Sequence, residues 1–306
     1  MIKTASELLQ APRAAFLSDA PESILRFAVD GIEKGVGVAL ATLVDVRGGS
    51  ARAIGSHMAI HQDGTYCGVV SGGCTETAIA AEAVLAISAG NDQFMMLGDG
   101  SPFFDIALPC GGGITVSIHV LRHGDCLRHV IRELSARRRT GLVYDPARQS
   151  LRKASPDRLT GWVDGCFQTS YRPKTRVCLF GRSIELETTH QVAAAAGYEV
   201  CRATADDMLA AGSIDEDSAV AMLFHDLDKE LAILEGALTA RPFYIGALGS
   251  ARTHQRRTSA LLDRGFAQSD VARIKAPIGL FPKARTAPAL ALSILADIAA
   301  ADTSRH

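Results

Sequence analysis

The sequence lacks an excess of charge of either sign: Lys and Arg number 32 against 33 Asp and Glu, for a formal charge of −1 over 306 residues. No global field therefore draws the chain to nucleic acid or to an anionic membrane. It also lacks any run approaching the ~20 apolar residues that a membrane span requires. Its seven cysteines are odd in number and follow no regular framework, so a disulfide scaffold is excluded and reduced thiols are expected. Met1-Ile2-Lys3-Thr4 opens the chain without an uninterrupted apolar signal core, and a cytoplasmic protein is the expectation. There is no internal repeat or low-complexity tract, and only one tryptophan, Trp162.

What is present is glycine placed around cysteine. Ser71-Gly72-Gly73-Cys74-Thr75-Glu76 and Pro109-Cys110-Gly111-Gly112-Gly113 each put a thiol in a turn with little side-chain bulk. Glycine permits positive φ and lets another molecule approach the main chain, so a ligand can reach both sulfur and neighbouring N–H groups. Cys178, between Val177 and Leu179, reads instead as a strand-core thiol.

The length predicts two domains. Apolar residues at helical spacing predict a helix from Glu22 to Gly35, followed by a strand over Val36 to Val44 buried on both faces. Asp63-Gly64 marks a hairpin between Met58-Ala59-Ile60-His61 and Cys67-Gly68-Val69-Val70. Helix is expected over Thr77 to Ala89, strand over Ile114 to Val120 and a basic helix over Cys126 to Arg139, then short polar strands. A boundary falls near Tyr171-Arg172-Pro173-Lys174, which divides the chain into 1–125, a connecting segment 126–173, and 174–306. Beyond it strands and helices alternate: strands at 176–180, 197–201, 219–224 and 244–249, helices at 188–196, 228–238 and 288–300. That alternation predicts a doubly wound parallel sheet with ligand crevices at the strands' carboxyl ends.

Three loops carry candidate chemistry. Asp45-Val46-Arg47-Gly48-Gly49-Ser50-Ala51-Arg52 offers two guanidinium groups and glycine N–H donors to an anion, and an anion site built from it and the two cysteine loops is expected. Gly246-Ala247-Leu248-Gly249-Ser250-Ala251-Arg252, followed by Arg256 and Arg257, suits a phosphate in the same way, the alternative being a solvated basic helix. Gly181-Arg182-Ser183-Ile184-Glu185 stands where a dinucleotide fingerprint belongs but keeps one glycine of three, and Glu185 and Glu187 would repel a phosphate. NAD or another nucleotide is not expected there. His225-Asp226 ends a strand and reads as a supporting pair. Cys67, Cys74, Cys110, His57 and His61 match no compact zinc-ligand spacing. Cys74, just before a helix start, is a possible nucleophile with no histidine partner specified.

In combination these strings resemble the XdhC/CoxI family, accessory proteins of molybdenum hydroxylases such as xanthine dehydrogenase. The resemblance rests on residues 47–52, 71–76 and 110–112, on Phe224-His225-Asp226, on 244–250 with Arg252, on Ala276-Pro277-Ile278-Gly279-Leu280, and on Ala284-Arg285-Thr286 with 291–296. It implies an α/β protein in which an N-terminal mixed α/β domain precedes a C-terminal Rossmann-like doubly wound parallel sheet. It further implies a chaperone that binds the molybdenum cofactor (molybdopterin), supports its sulfuration and delivers it, with no catalytic turnover of a metabolite required. Its partners would be a xanthine dehydrogenase-type hydroxylase, a cysteine desulfurase and a second copy of itself. Cys74 and Cys110 would face the metal, Arg47, Arg52 and Arg252 the phosphate, and Gly72, Gly73, Glu76, Gly111, Gly112, Ser50, Gly246, Gly249 and Ser250 would shape the pocket. The alternatives are an NAD-dependent Rossmann oxidoreductase, a sulfur-relay protein carrying a persulfide, and a docking subunit with a degenerate pocket.

Overall fold

A computed structural model describes residues 11–73, 75–99, 101, 111–156, 158–202, 214–224, 227–281 and 284–305. They divide into two compact units that meet in sequence between Pro173 and Lys174.

The first unit is built on β2 (Val38–Arg47), whose neighbours are β3 (His57–His61) and β6 (Gly113–Val120), both antiparallel. β4 (Thr65–Gly68), β1 (Arg13–Phe16) and β5 (Gln93–Gly98) complete a six-stranded sheet of order β1-β4-β3-β2-β6-β5. Alternate residues of β2 serve opposite faces. Ala39, Ala41 and Leu43 pack with Ile79, Ala80 and Ala83 of α2 (Glu76–Ala89), while Val38 and Leu40 join Ile24, Leu25 and Ala28 of α1 (Pro21–Glu33). β2 is thus buried on both faces, as its unbroken apolar run predicts. A bulge between Leu43 and Asp45 turns its end aside and sends Val44 to a small cluster with Tyr144 and Phe167.

Residues 125–171 fold onto this unit. α3 (Asp125–Ser135) buries Leu127, Val130, Ile131 and Leu134 in the α1 cluster. β7 (Thr140–Asp145), β8 (Ser150–Ala154), β9 (Gly161–Val163) and β10 (Cys166–Tyr171) form an antiparallel sheet of order β8-β7-β10-β9. Trp162, on β9, donates its indole N–H to Val44 O at 3.1 Å.

Where these layers meet, His57 is enclosed: its Nδ1 lies 2.9 Å from Thr42 Oγ1 and its Nε2 lies 2.6 Å from the Tyr171 hydroxyl. Burial depresses its pKa from 6.5 to about 4, against a smaller upward push from a backbone hydrogen bond with Ala41. The neutral ring fits here because it can donate at one nitrogen and accept at the other. Between pH 6.5 and about 4 the unfolded chain takes a proton that the folded chain refuses, so stability is full above that window and falls as pH drops through it. The loss expected is roughly 3 kcal/mol. Urea unfolding at pH 7 and pH 4.5 should show that slope in the wild type and a flatter one in His57→Gln.

The second unit holds one parallel sheet. β11 (Arg176–Gly181), β12 (Glu199–Arg202), β13 (Ser218–Leu223), β14 (Tyr244–Ala247) and β15 (Ile274–Lys275) stand in the order β12-β11-β13-β14-β15, every pair parallel. Helices cover both faces. Cys178, Phe180, Val220 and Met222 meet Leu231, Leu234 and Leu238 of α5 (Leu227–Ala240) and Leu261 of α6 (Ala251–Asp263). α7 (Gln268–Val271) adds Val271 to that layer. On the other face Val177, Leu179, Ala219 and Ala221 meet Leu186 and Ala193 of α4 (Ile184–Ala195) and Ile294, Leu295 and Ile298 of α8 (Ala287–Thr303). The chain runs outward from β11 to β12 and then crosses to β13 on β11's other side. That reversal sets a crevice at the carboxyl ends of β11 and β13.

α4 begins at Ile184 rather than Thr188, because Ser183 Oγ accepts from Leu186 N and caps it. The exposed Ile184 hides this start from an apolar-spacing argument. Conversely, α3 stops at Ser135, short of Arg139, since Arg137 takes a φ of 55° and turns the chain into β7.

Candidate functional site

In the first unit three loops lie against one another. Gly112 sits where a Cβ would fall 2.5 Å from Arg47 O and 2.8 Å from Gly49 O, so only glycine allows the 111–113 strand entry to meet the 47–49 turn. Gly72 in turn faces Ala51, whose Cβ would stand 3.0 Å from an added one. The described parts of the loops expected to build an anion site therefore adjoin. Cys74 and Cys110 lie outside the described residues.

Different residues of this cluster have different jobs. The Arg47 guanidinium makes four hydrogen bonds, Nε to Asp99 O, Nη1 to Asp45 Oδ2 and Thr115 Oγ1, and Nη2 to Ile114 O. It is occupied in tying the end of β2 to β6. Among the described residues the Arg52 guanidinium has one partner, the exposed Asp19 at 3.1 Å, while Ser50 Oγ accepts from Arg52 N and shapes the turn. Exposed ion pairs of that kind contribute little, so Arg52 can exchange Asp19 for an incoming anion at small cost.

Glu76 opens α2 and is buried, with its carboxylate turned back on the glycine loop. Val70 N and Ser71 N donate to Oε1 at 3.0 and 2.8 Å, and Ser71 Oγ and Thr75 N donate to Oε2 at 2.7 and 3.2 Å. Burial pushes its pKa up, but the hydrogen bonds from Ser71 and its neighbours outweigh it and hold the carboxyl below the usual range. Gly73, with a φ of 107°, and Gly111, with a φ of 67°, have no atom of the described residues within 4 Å of an added Cβ. Thr75 Oγ1 is buried with no partner among the described residues.

In the second unit the candidate turn follows β14. Gly246 lies inside the strand, packed beneath Ile278 and the Tyr244 hydroxyl. Gly249 takes a φ of 126°, and Ser250 caps α6 by accepting from Thr253 N at 3.2 Å. Arg252 is exposed in a first turn that holds no acidic residue, so the positive helix end and the guanidinium act together. Arg257 corrects both sequence expectations: it is neither an anion donor nor solvated but fully buried. Its Nη2 reaches Glu230 Oε2 at 2.7 Å and Leu248 O at 2.9 Å, and its Nε reaches the same Glu230 oxygen at 3.1 Å.

At the Gly181 turn a cleft of roughly 350 Å³ is lined by Gly181, Arg182, Ser183, Glu187 and Arg202. Gly181 is required there, because a Cβ would fall 2.6 Å from Leu223 O. Arg202 stands where an acidic residue would bind ribose and is paired with Glu187 at 2.6 Å. His225 and Asp226 lie outside the described residues.

The cysteine and histidines whose spacing matches no zinc site have other places in the fold. Cys67 is buried, and burial pushes its thiol pKa up to about 11; the His61 ring stacks on Phe27 at 4.0 Å. Among the described residues no three His, Cys, Asp or Glu side chains gather as metal ligands, and no helix is long and apolar enough to cross a membrane.

A doubly wound parallel unit preceded by a mixed-sheet unit with apposed glycine loops defines a two-part α/β protein with a Rossmann-type second half. The chain belongs to the XdhC and CoxI family: residues 32–97 match the model of that family and residues 177–298 that of the XdhC Rossmann domain. It is 46% identical over 288 residues to the molybdenum cofactor insertion chaperone PaoD of Escherichia coli K12, covering 94% of this chain and 91% of that protein. A second Escherichia coli K12 protein, YqeB, is 26% identical over 263 residues, which span 85% of this chain and 42% of YqeB. The crystal structure of a protein described as a xanthine dehydrogenase from Bacillus halodurans shares the fold, with a TM-score of 0.73 at 21% identity over 94% of this chain and 97% of that one.

Proposed function

We propose that this protein binds the molybdenum cofactor, holds it while a terminal sulfur is installed, and inserts it into a client hydroxylase of the xanthine dehydrogenase type. The observation that carries the reading is the apposition of the 47–52, 71–73 and 112 loops, held by Arg47 and Glu76. The likeness to an insertion chaperone over nearly the whole chain supports it.

The cargo is a phosphorylated pterin dithiolene with a soft metal, and it needs two kinds of partner. Arg52 and the loop N–H groups take the phosphate, leaving Arg47 as the strut behind them. Cys74 and Cys110, carried by the two glycine loops, face the metal and its exchangeable sulfur. Thr75 Oγ1, buried and with no partner among the described residues, belongs to the residue that follows Cys74 in the chain. Arg252, with Gly249 and Ser250, is a second anion-facing turn, whereas Gly246 lies packed inside the strand before it. The protein works in the cytoplasm as a homodimer, with a cysteine desulfurase supplying sulfur.

Cofactor retention after gel filtration tests this. Arg52→Ala should weaken retention about tenfold, the worth of one charge-assisted hydrogen bond, with an unchanged melting temperature. Cys74→Ala and Cys110→Ala should each weaken it by more than Cys178→Ala. Equal retention by all four variants would remove the reading.

A further inference from the structure

The second unit holds a sulfur pair that cofactor handling does not use. Cys178 on β11 and Cys201 on β12 are direct partners in the parallel ladder, so both side chains emerge on the same sheet face, the one covered by α5 and α6. Their Sγ atoms are 2.9 Å apart, longer than the ~2.05 Å of a disulfide bond. Neighbouring strands stand about 4.7–4.9 Å apart, inside the ~4.4–6.8 Å that a disulfide accepts between Cα atoms. Two small apolar residues would fill the same volume, yet both positions of one ladder rung are cysteine. Cys178 is fully buried, whereas Cys201 is partly exposed on an edge strand of four residues.

We propose that Cys178 and Cys201 form an oxidisable dithiol whose reactant is hydrogen peroxide. The sulfur of Cys201, the less buried residue of the pair, attacks the peroxide, the O–O bond breaks, and a sulfenic acid and one water form. The Cys178 sulfur then attacks Cys201 Sγ. An S–S bond forms, the S–O bond breaks, and a second water leaves with the Cys178 proton. Two thiols lose two electrons and the peroxide gains them. No backbone movement of the strands is needed, because the ladder already holds the sulfurs in contact. The new bond staples edge strand β12 to β11 directly before Arg202, which lines the Gly181 cleft and is held by Glu187. Oxidation thereby fixes one wall of that cleft.

The full chain, treated with hydrogen peroxide, alkylated under denaturing conditions and digested, tests this. A peptide joining Cys178 to Cys201, about 2 Da lighter than its reduced parts and restored by dithiothreitol, is the expected product. Amide exchange across residues 199–202 should slow about tenfold in the oxidised protein. Cys201→Ser should give no linked peptide from this rung. Recovery of Cys201 as a sulfinic acid without the linked peptide overturns the proposal, as does recovery of both thiols unmodified.

Discussion

Arg257→Ala should cost the second unit about 3–5 kcal/mol, because it strands the Glu230 carboxylate in the interior with no cation beside it. Side-chain exposures of 0% and 2% for the pair mean that water cannot make good the loss. The damage should reach the turn after β14, since Arg257 also holds Leu248 O, one residue before Gly249. Arg252→Ala, in the same helix but exposed, should change stability by less than about 0.5 kcal/mol. Replacing both partners, as Arg257→Met with Glu230→Leu, should recover much of the loss, since no charge is then left buried. Urea unfolding of the three variants followed by circular dichroism measures this; similar midpoints for Arg257→Ala and Arg252→Ala would contradict it.

The second large effect is expected at Glu76. Alanine there removes the carboxylate acceptor from the N–H groups of Val70 and Ser71 at once and leaves Thr75 N with the Ser71 hydroxyl alone, and each charge-assisted bond contributes roughly 1.5–3 kcal/mol. Imperfect additivity and partial rescue by water bring the expected cost to about 2–4 kcal/mol. The glycine loop should lose its shape, and cofactor retention should fall further than with Arg52→Ala. Glu76→Gln separates charge from size: its amide oxygen can still accept from Val70 and Ser71, but its NH₂ cannot accept from the Ser71 hydroxyl or from Thr75 N. Because the folded pKa of Glu76 lies below its ordinary value, this support is complete above about pH 4.5 and is lost as pH falls through the lower folded value. Retention measured from pH 7 down to pH 3.5 should therefore drop at the acid end in the wild type and already be low in Glu76→Gln.

Much of the second unit was legible in the residues because a parallel sheet covered on both sides imposes a signature. Ser218–Leu223 is apolar at nearly every position, and the helices between strands repeat on schedule. The strands that escaped notice have no such signature. β1 is exposed along its whole length and exists because β4 offers it a parallel edge, which no local pattern announces. β15 is two residues long. For the site, glycine and arginine content pointed to the right loops, but sequence treats Arg47 and Arg52 alike. Asp45, Asp99, Ile114 and Thr115, the last 68 residues away, distinguish the strut from the accessible cation. Arg257 was opaque for the same reason. Its acid lies 27 residues earlier, on another helix.

The lone tryptophan gives the molecule a built-in optical asymmetry. Trp162 belongs to the first unit, and its indole is anchored to Val44, three residues before Arg47. Emission excited at about 295 nm, where only indole absorbs among these side chains, thus reports on the half that carries the apposed glycine loops. The Rossmann-type half holds no tryptophan of its own, so comparing the fluorescent with the dichroic transition sets the melting of the first unit against that of the whole chain.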